Sequence, residues 1–388
     1  MPDTTDILVA GGGVMGLWAA LKAAEAGLAV TLIDAGAVGQ GASGGLLGAL
    51  FPWMPDRWDA KKQYQFDALV ALPGEIARLE AATGLSAGYR RVGRLVPLPK
   101  PHLSDIARRH ERDAAINWQS GDDRFHWHLR DDAPNGPVLA PESCAAGHVL
   151  DTLAARIEPR ALVRLLRTAL ERLPRVRIVE HARLVSLDAA RGRAEIAARD
   201  PGTLAFSHAV IAAGAASFPL LERLLPPLPK PLGQGVKGQA ALMRADIDPA
   251  SPVVFLDGLY VVPHEGGFAA VGSTSENGFS DPLATDGLLD HVITRARALM
   301  PALRAAPVIE RWAGIRPKAI GRDPLVGPLP GHENVIALTG GFKISFGMAH
   351  RLAASALGPF LGGAQTPPLP AGFTPEGQLA REMGWPPP

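Results

Sequence analysis

The stretch Asp6 to Asp34, DILVAGGGVMGLWAALKAAEAGLAVTLID, constrains the fold more than any other part of the chain. It reads as strand, glycine turn, helix, strand. Ile7 to Ala10 is a short apolar run of the kind covered on both faces of a parallel sheet. Gly11, Gly13 and Gly16 follow at G-x-G-x-x-G spacing. The first glycine allows a sharp turn, the second lets backbone approach a pyrophosphate, and the third lets the helix pack closely on its strand. Unpaired N–H groups at the helix start face the phosphates. Leu17, Ala20, Leu21 and Ala24 recur at helical spacing and Gly27 ends the helix. The second strand, Val30 to Ile33, closes on Asp34, whose carboxylate accepts hydrogen bonds from a ribose diol and repels a 2′-phosphate. The ligand expected is therefore FAD or NAD, not NADP. The spacing alone also occurs in ordinary glycine loops; the strand before, the helix after and the acid select the dinucleotide reading.

At 388 residues the chain is long for a single core, and about two domains are expected. With 39 basic against 38 acidic residues, the charge of +1 gives no general attraction to nucleic acid or anionic lipid, which leaves a small-molecule partner. The single Cys144 cannot form an internal disulfide, fits a reducing compartment and has the plain alternative of an inert core thiol. Asp3 and Asp6 precede the first apolar run and Lys22 interrupts it, so neither a signal peptide nor an integral membrane segment is expected, and the location expected is cytoplasmic.

Directly after Asp34 comes a second glycine-rich segment, AGAVGQGASGGLLGALFPW. An NAD domain needs none there. A flavin has to run past backbone without side chains in the way, which Gly41, Ser43, Gly44 and Gly45 permit, and Ser43 can bond a phosphate; a flexible lid is the alternative. Helices are predicted from Trp58 to Thr83 with a kink at Pro73, from His102 to Ala115, from Pro159 to about Leu173 and from Asp286 to Leu299. His126 and His128 flank Trp127 and would face one way on a strand, as metal ligands can, but no third ligand of suitable spacing is near and simple packing is preferred. Asp122 with Asp123 is read the same way. A strand from Ala209 to Ala213 ends at Gly214, a place for close approach to a cofactor or a plain tight turn. Past the prolines from Pro226 to Pro231, KGQAALMRA, VVFLDGLYVVPH and GFAAVGS read as antiparallel neighbours with Glu265-Gly266-Gly267 as a turn. ENVIALTGGFKISFGMAHRLAASALG repeats the strand, glycine turn and helix pattern, so the chain is expected to leave the cofactor domain and return to it. From about Gln365 to Pro388 an extended proline-rich tail is expected.

GGGVMG, GASGGLLGA, KGQ, LYVVPH, WAGIRP and GGFKISFG, in this order over nearly the whole chain, together resemble the FAD-dependent D-amino-acid oxidase superfamily, nearest to glycine oxidase and monomeric sarcosine oxidase. The resemblance implies an α/β fold: a discontinuous Rossmann-type FAD domain (1–88, 146–218 and 313–364) and a substrate domain with a mostly antiparallel sheet (89–145 and 219–312). It implies FAD against Gly11, Gly13, Val14, Met15, Gly16, Asp34, Ala35, Ala42, Ser43, Gly44, Gly45, Leu46, Leu184 and Gly214, with Gly341, Phe342, Lys343 and Ile344 at the flavin ring.

WAGIRP is similar to glycine oxidase, whose arginine there holds the substrate carboxylate; Arg316 inherits that role. GGFKIS is similar to sarcosine oxidase, which implies Lys343 as a second cation, and Tyr260 matches a substrate-bonding tyrosine of glycine oxidase. Ala313 stands where sarcosine oxidase has its flavin-linking cysteine, which implies non-covalent FAD. Ala270 stands where sarcosine oxidase has the lysine that assists oxygen, so the acceptor is O2 or another molecule. The implied activity is oxidation of the C–N bond of a small amino acid or N-substituted amino acid by hydride transfer to flavin N5, giving an imine, with H2O2 if O2 is the acceptor. No dedicated catalytic base and no metal are implied. An NAD-dependent dehydrogenase and a non-catalytic flavin-binding protein are the rival readings.

Overall fold

The computed structural model describes residues 4–132, 139–361 and 367–384, built around two eight-stranded sheets. In the first sheet Val176–Val179, Val30–Ile33, Thr4–Ala10, Gly202–Ile211 and His332–Thr339 lie side by side in parallel. Ile7 and Val9 join the core formed with helices Val14–Glu25, Ala60–Thr83, Pro159–Glu171 and Ser345–Leu357, while Leu8 and Ala10 join Phe218 and Leu221 on the opposite face. Burial on both faces is what the unbroken apolar run of this strand reflects. Arg183–Asp188 and Arg193–Ala197 form a hairpin that extends the sheet antiparallel, and Leu325–Leu329 pairs antiparallel with His332–Thr339.

The second sheet runs Val308–Ala319, Gly233–Arg244, Phe268–Gly272, Leu259–His264, Val253–Leu256, Arg94–Pro97, His148–Asp151, Trp127–Arg130. Its pairs are antiparallel except Val253–Leu256 with Arg94–Pro97. One face is covered by helix Gly287–Leu299, capped by the Asp286 side chain, and the other carries Ala240, Tyr260 and Trp312. Sequence-expected VVFLDGLYVVPH is itself a hairpin: Asp257 and Gly258 both have positive φ (46° and 79°), the geometry of a two-residue type I′ turn.

His148–Asp151 and the whole of Val308–Ala319 belong to the second sheet, although boundaries at 145/146 and 312/313 were expected from the sequence. Apolar alternation marks a strand but does not say which sheet supplies its partner. The sequence end also differs from an extended tail. Ala371–Phe373 forms a turn of 3₁₀ helix and Pro375–Met383 an α-helix capped by Thr374, with Phe373 and Leu379 fully buried. Of the described prolines, Pro367, Pro368 and Pro370 precede the helix and Pro375 opens its first turn, where a missing N–H costs nothing; residues 362–366 and 385–388 lie outside the described residues. Among the described residues no helix is long and apolar enough to cross a membrane. The rings of His126 and His128 stack at 4.7 Å, and among the described residues they join no cluster of three or more metal-ligating side chains.

Candidate active site

The chain passes from Thr4–Ala10 to Val30–Ile33 on one side and pairs Gly202–Ile211 on the other, which makes the gap beyond Ala10 and Ile211 a switch point of the sheet. Open parallel sheets take ligands beyond the carboxyl ends of their strands at such a point. A cavity of about 620 Å³ opens there, walled on the far side by the second sheet.

Gly11 turns the chain at φ 114°, and a Cβ on it would lie 2.3 Å from the Ala212 carbonyl oxygen, so only glycine fits between the two strand ends. The turn is held by Asp34, whose two carboxylate oxygens accept from the N–H groups of Gly12 (2.7 Å) and Gly36 (2.8 Å). The buried Ser43 hydroxyl accepts from Val14 N–H at 2.9 Å. The N–H groups of Gly13 and Met15, at the start of helix Val14–Glu25, find no acceptor among the described residues and stand in the cavity wall. Unpaired donors at a helix N-terminus beside an open, side-chain-free turn fit a pyrophosphate. His264 fixes the neighbouring loop: its Nε2 is 3.0 Å from the Leu46 carbonyl, and burial pushes its pKa down.

Of the cofactor residues expected from the sequence, Gly11, Gly13, Val14, Met15, Asp34, Ala35, Ala42, Ser43, Gly45, Leu46, Leu184, Gly214, Gly341, Phe342 and Lys343 line this one cavity. Three do not. A Cβ on Gly16 would lie 1.8 Å from the Gly11 carbonyl, so that glycine packs helix on turn; the Gly44 carbonyl accepts from Arg160 Nε; Ile344 packs into the helical core.

At the other end of the cavity stand Arg316, Lys343 and Tyr260. Arg316 Cζ and Lys343 Nζ lie 5.9 and 5.6 Å from the centre of the Phe342 ring. The half-buried Arg316 donates through both Nη atoms to the Thr274 carbonyl (3.3 and 3.2 Å) and crosses Gly238 of the adjacent strand, where a Cβ would collide with its Nη2. Burial pulls the Arg316 pKa down against Tyr260 and Glu276, which raise it; that of Lys343 is also lowered, by partial burial of its stem and then by the Arg316 charge, although the side chain as a whole is exposed. Tyr260 stacks on Phe51 with centroids 5.4 Å apart, and burial pushes its hydroxyl pKa up against Arg94 and Arg316.

Several lining residues were not read from the sequence: Trp312, Ser273, Leu47, Arg183 and Arg223. Trp312 had a signal, since Trp312, Gly314 and Arg316 alternate along one strand and so share a face. Ala313 falls out of that phase, pairs with Gln239 and does not line the cavity; nor does Ala270, which is buried beside Leu46 and Ala240.

The family model for FAD dependent oxidoreductases matches residues 6–355. Glycine oxidase of Pseudomonas putida is 30% identical over 96% of this chain and 99% of its own length, and that of Pseudomonas aeruginosa 28% identical over 96% and 99%. The crystal structure of glycine oxidase from Geobacillus kaustophilus superposes with a TM-score of 0.82 at 22% identity, covering 94% of this chain and 97% of that one. The chain thus belongs to the FAD dependent oxidoreductase family, and its cofactor is FAD.

Proposed function

We propose that the protein oxidises the C–N bond of a small amino acid or N-substituted amino acid, of the glycine, sarcosine or D-amino-acid type, to an imine. The observation that carries this reading is the pair Arg316 and Lys343 at one end of the cavity, neither of them joined to a carboxylate among the described residues. FAD, when bound, supplies the acceptor that takes a hydride from the carbon beside the nitrogen. The pyrophosphate would lie on Gly13, Val14 and Met15, the ribose by Asp34, and the ring toward Gly341, Phe342 and Lys343. Arg316 grips the carboxylate as a fork, Lys343 adds a point charge, and Tyr260 bonds the substrate edge. Trp312 and Phe342 exclude water around the amine, and the fixed carboxylate aligns the C–H bond, so the protein's contribution is positioning and electrostatics. An amine bound neutral has no proton to lose before the hydride departs, and the iminium left behind gives its N–H proton to water on becoming the imine, so no dedicated base is required.

O2 as acceptor would give H2O2. Ala270, at the position where sarcosine oxidase carries a lysine that assists oxygen, favours a second reading as a dehydrogenase with another acceptor. The test is anaerobic flavin bleaching against glycine, sarcosine, D-amino acids, N-alkyl glycines and cyclic imino acids, followed by peroxide release in air. Bleaching by an amino acid is expected. If simple amines without a carboxylate bleach the flavin equally well, the clamp and the amino-acid assignment fall together.

A further inference from the structure

Counting charge at the substrate end of the cavity gives two cations and no anion. Among the described lining residues the single carboxylate is Asp34, and both its oxygens are occupied at the opposite end by Gly12 and Gly36. Glu276 is the acid that acts on Arg316 through space. It is already engaged, accepting from the Thr274 hydroxyl and from Gln239 Nε2 (3.1 Å), with the buried Lys237 at 3.9 Å. Three cations lie about one aromatic ring, that of Phe342: Arg316, Lys318 and Lys343, of which Arg316 and Lys343 line the cavity. A monocarboxylate shared by the Arg316 fork and the Lys343 ammonium brings one negative charge to two positive ones and leaves this end of the cavity with a net positive charge. The two cations repel one another, most of all at the half-buried Arg316, and a second anion relieves that repulsion.

Resting on the amino-acid reading above, we propose that the preferred substrate is an amino dicarboxylate, with one carboxylate on Arg316 and the second on Lys343. The second carboxylate sits either on the nitrogen substituent, as in an N-carboxymethyl amino acid, or on the side chain, as in an acidic D-amino acid. The oxidised bond is the same in both cases; what changes is which arm reaches Lys343. The lysine suits the second place: it is a point charge on a flexible stem that tolerates variation in arm length, whereas the arginine fork fixes the carboxylate that aligns the C–H bond.

The test is anaerobic stopped-flow reduction of the holoenzyme with two matched pairs, sarcosine against N-(carboxymethyl)glycine and D-alanine against D-aspartate. In one pair the dicarboxylate is expected to show an apparent Kd at least about tenfold below its monocarboxylate partner, and the pair that shows it identifies the arm. Lys343→Met should collapse that ratio toward one, and Lys343→Arg should keep most of it. Equal or better binding of the monocarboxylate in both pairs overturns the inference while the amino-acid reading stands. If none of the four reduces the flavin, this inference falls, and the wider screen above decides the amino-acid reading separately. A Lys343→Met variant that loses FAD affinity with the dicarboxylate ratio unchanged assigns the lysine to the cofactor and also overturns it.

Discussion

The conformation of Arg316 depends on an atom its neighbour lacks. Because a Cβ on Gly238 would lie 1.7 Å from Arg316 Nη2, and because a guanidinium is the movable end of a flexible chain, Gly238→Ala should fold while pushing Arg316 off the Thr274 carbonyl. A displacement near 1 Å at a positioning group costs about 100-fold in rate. The expected outcome is flavin reduction slowed to that order with FAD affinity and melting temperature unchanged; an unaltered reduction rate would mean that this orientation does not matter to the chemistry. Asp34→Ala should weaken FAD binding, since a hydrogen bond to a charged group contributes roughly 1.5 to 3 kcal/mol. Its effect includes release of the Gly12 and Gly36 N–H groups that the carboxylate holds, and titration of apoprotein with FAD measures the sum. That Asp34, Arg316, Lys343 and Tyr260 belong to the cavity wall was legible in the sequence, because each stands in a short segment whose own pattern, or likeness to relatives, marks it. For Ser273 and Leu47 it was not. They reach the cavity only because a sheet folded from segments 226 residues apart brings strand end and loop together, and nothing in the local sequence encodes that meeting.

At the scale of elements, the nucleotide-binding unit was legible because its strand, turn and helix are contiguous and their periodicities differ. The C-terminal helix Pro375–Met383 was obscured by the prolines around it, although Phe373 and Leu379 were the apolar residues that an extended tail would not need. Phe373→Ala is expected to cost about 3 to 5 kcal/mol, as for other buried aromatic truncations, read as a shift in urea midpoint. A shift near zero would show that this segment is not part of the cooperative core. Helices Val14–Glu25 and Ser345–Leu357 meet at Trp18 and His350, whose rings lie 5.8 Å apart. Burial pushes the His350 pKa down to about 3, so in the folded chain it stays neutral where the unfolded chain takes up a proton. Stability should therefore fall as pH drops from about 6.5 toward 3, because the unfolded state binds more protons across that window. Between pH 6.5 and 5 this one group contributes a loss of about 1 to 2 kcal/mol. In His350→Leu the loss over that interval should be smaller by that amount, and equal losses in both proteins would assign the acid sensitivity to other groups.

Across the whole molecule, the cavity is the place where the two sheets face each other: Gly11, Asp34 and Gly214 come from one, Tyr260, Trp312 and Arg316 from the other. A cofactor bound along it touches both, so its binding free energy enters the stability of their union. By mass action a ligand that binds only the folded state adds about 2.7 kcal/mol at one hundred times its Kd, and the melting temperature then depends on free ligand. That dependence requires FAD that can leave. The one thiol of the chain, Cys144, packs near helix Gly287–Leu299 and does not line the cavity; no histidine is among the described lining residues. Among the described lining residues there is thus no cysteine and no histidine to link to the flavin. Acid precipitation should therefore release all the yellow colour into the supernatant, and the refolded or gel-filtered apoprotein should melt at a temperature that climbs with added FAD. Flavin that remains on the denatured chain, or a melting temperature indifferent to FAD, would contradict a non-covalent cofactor spanning both sheets.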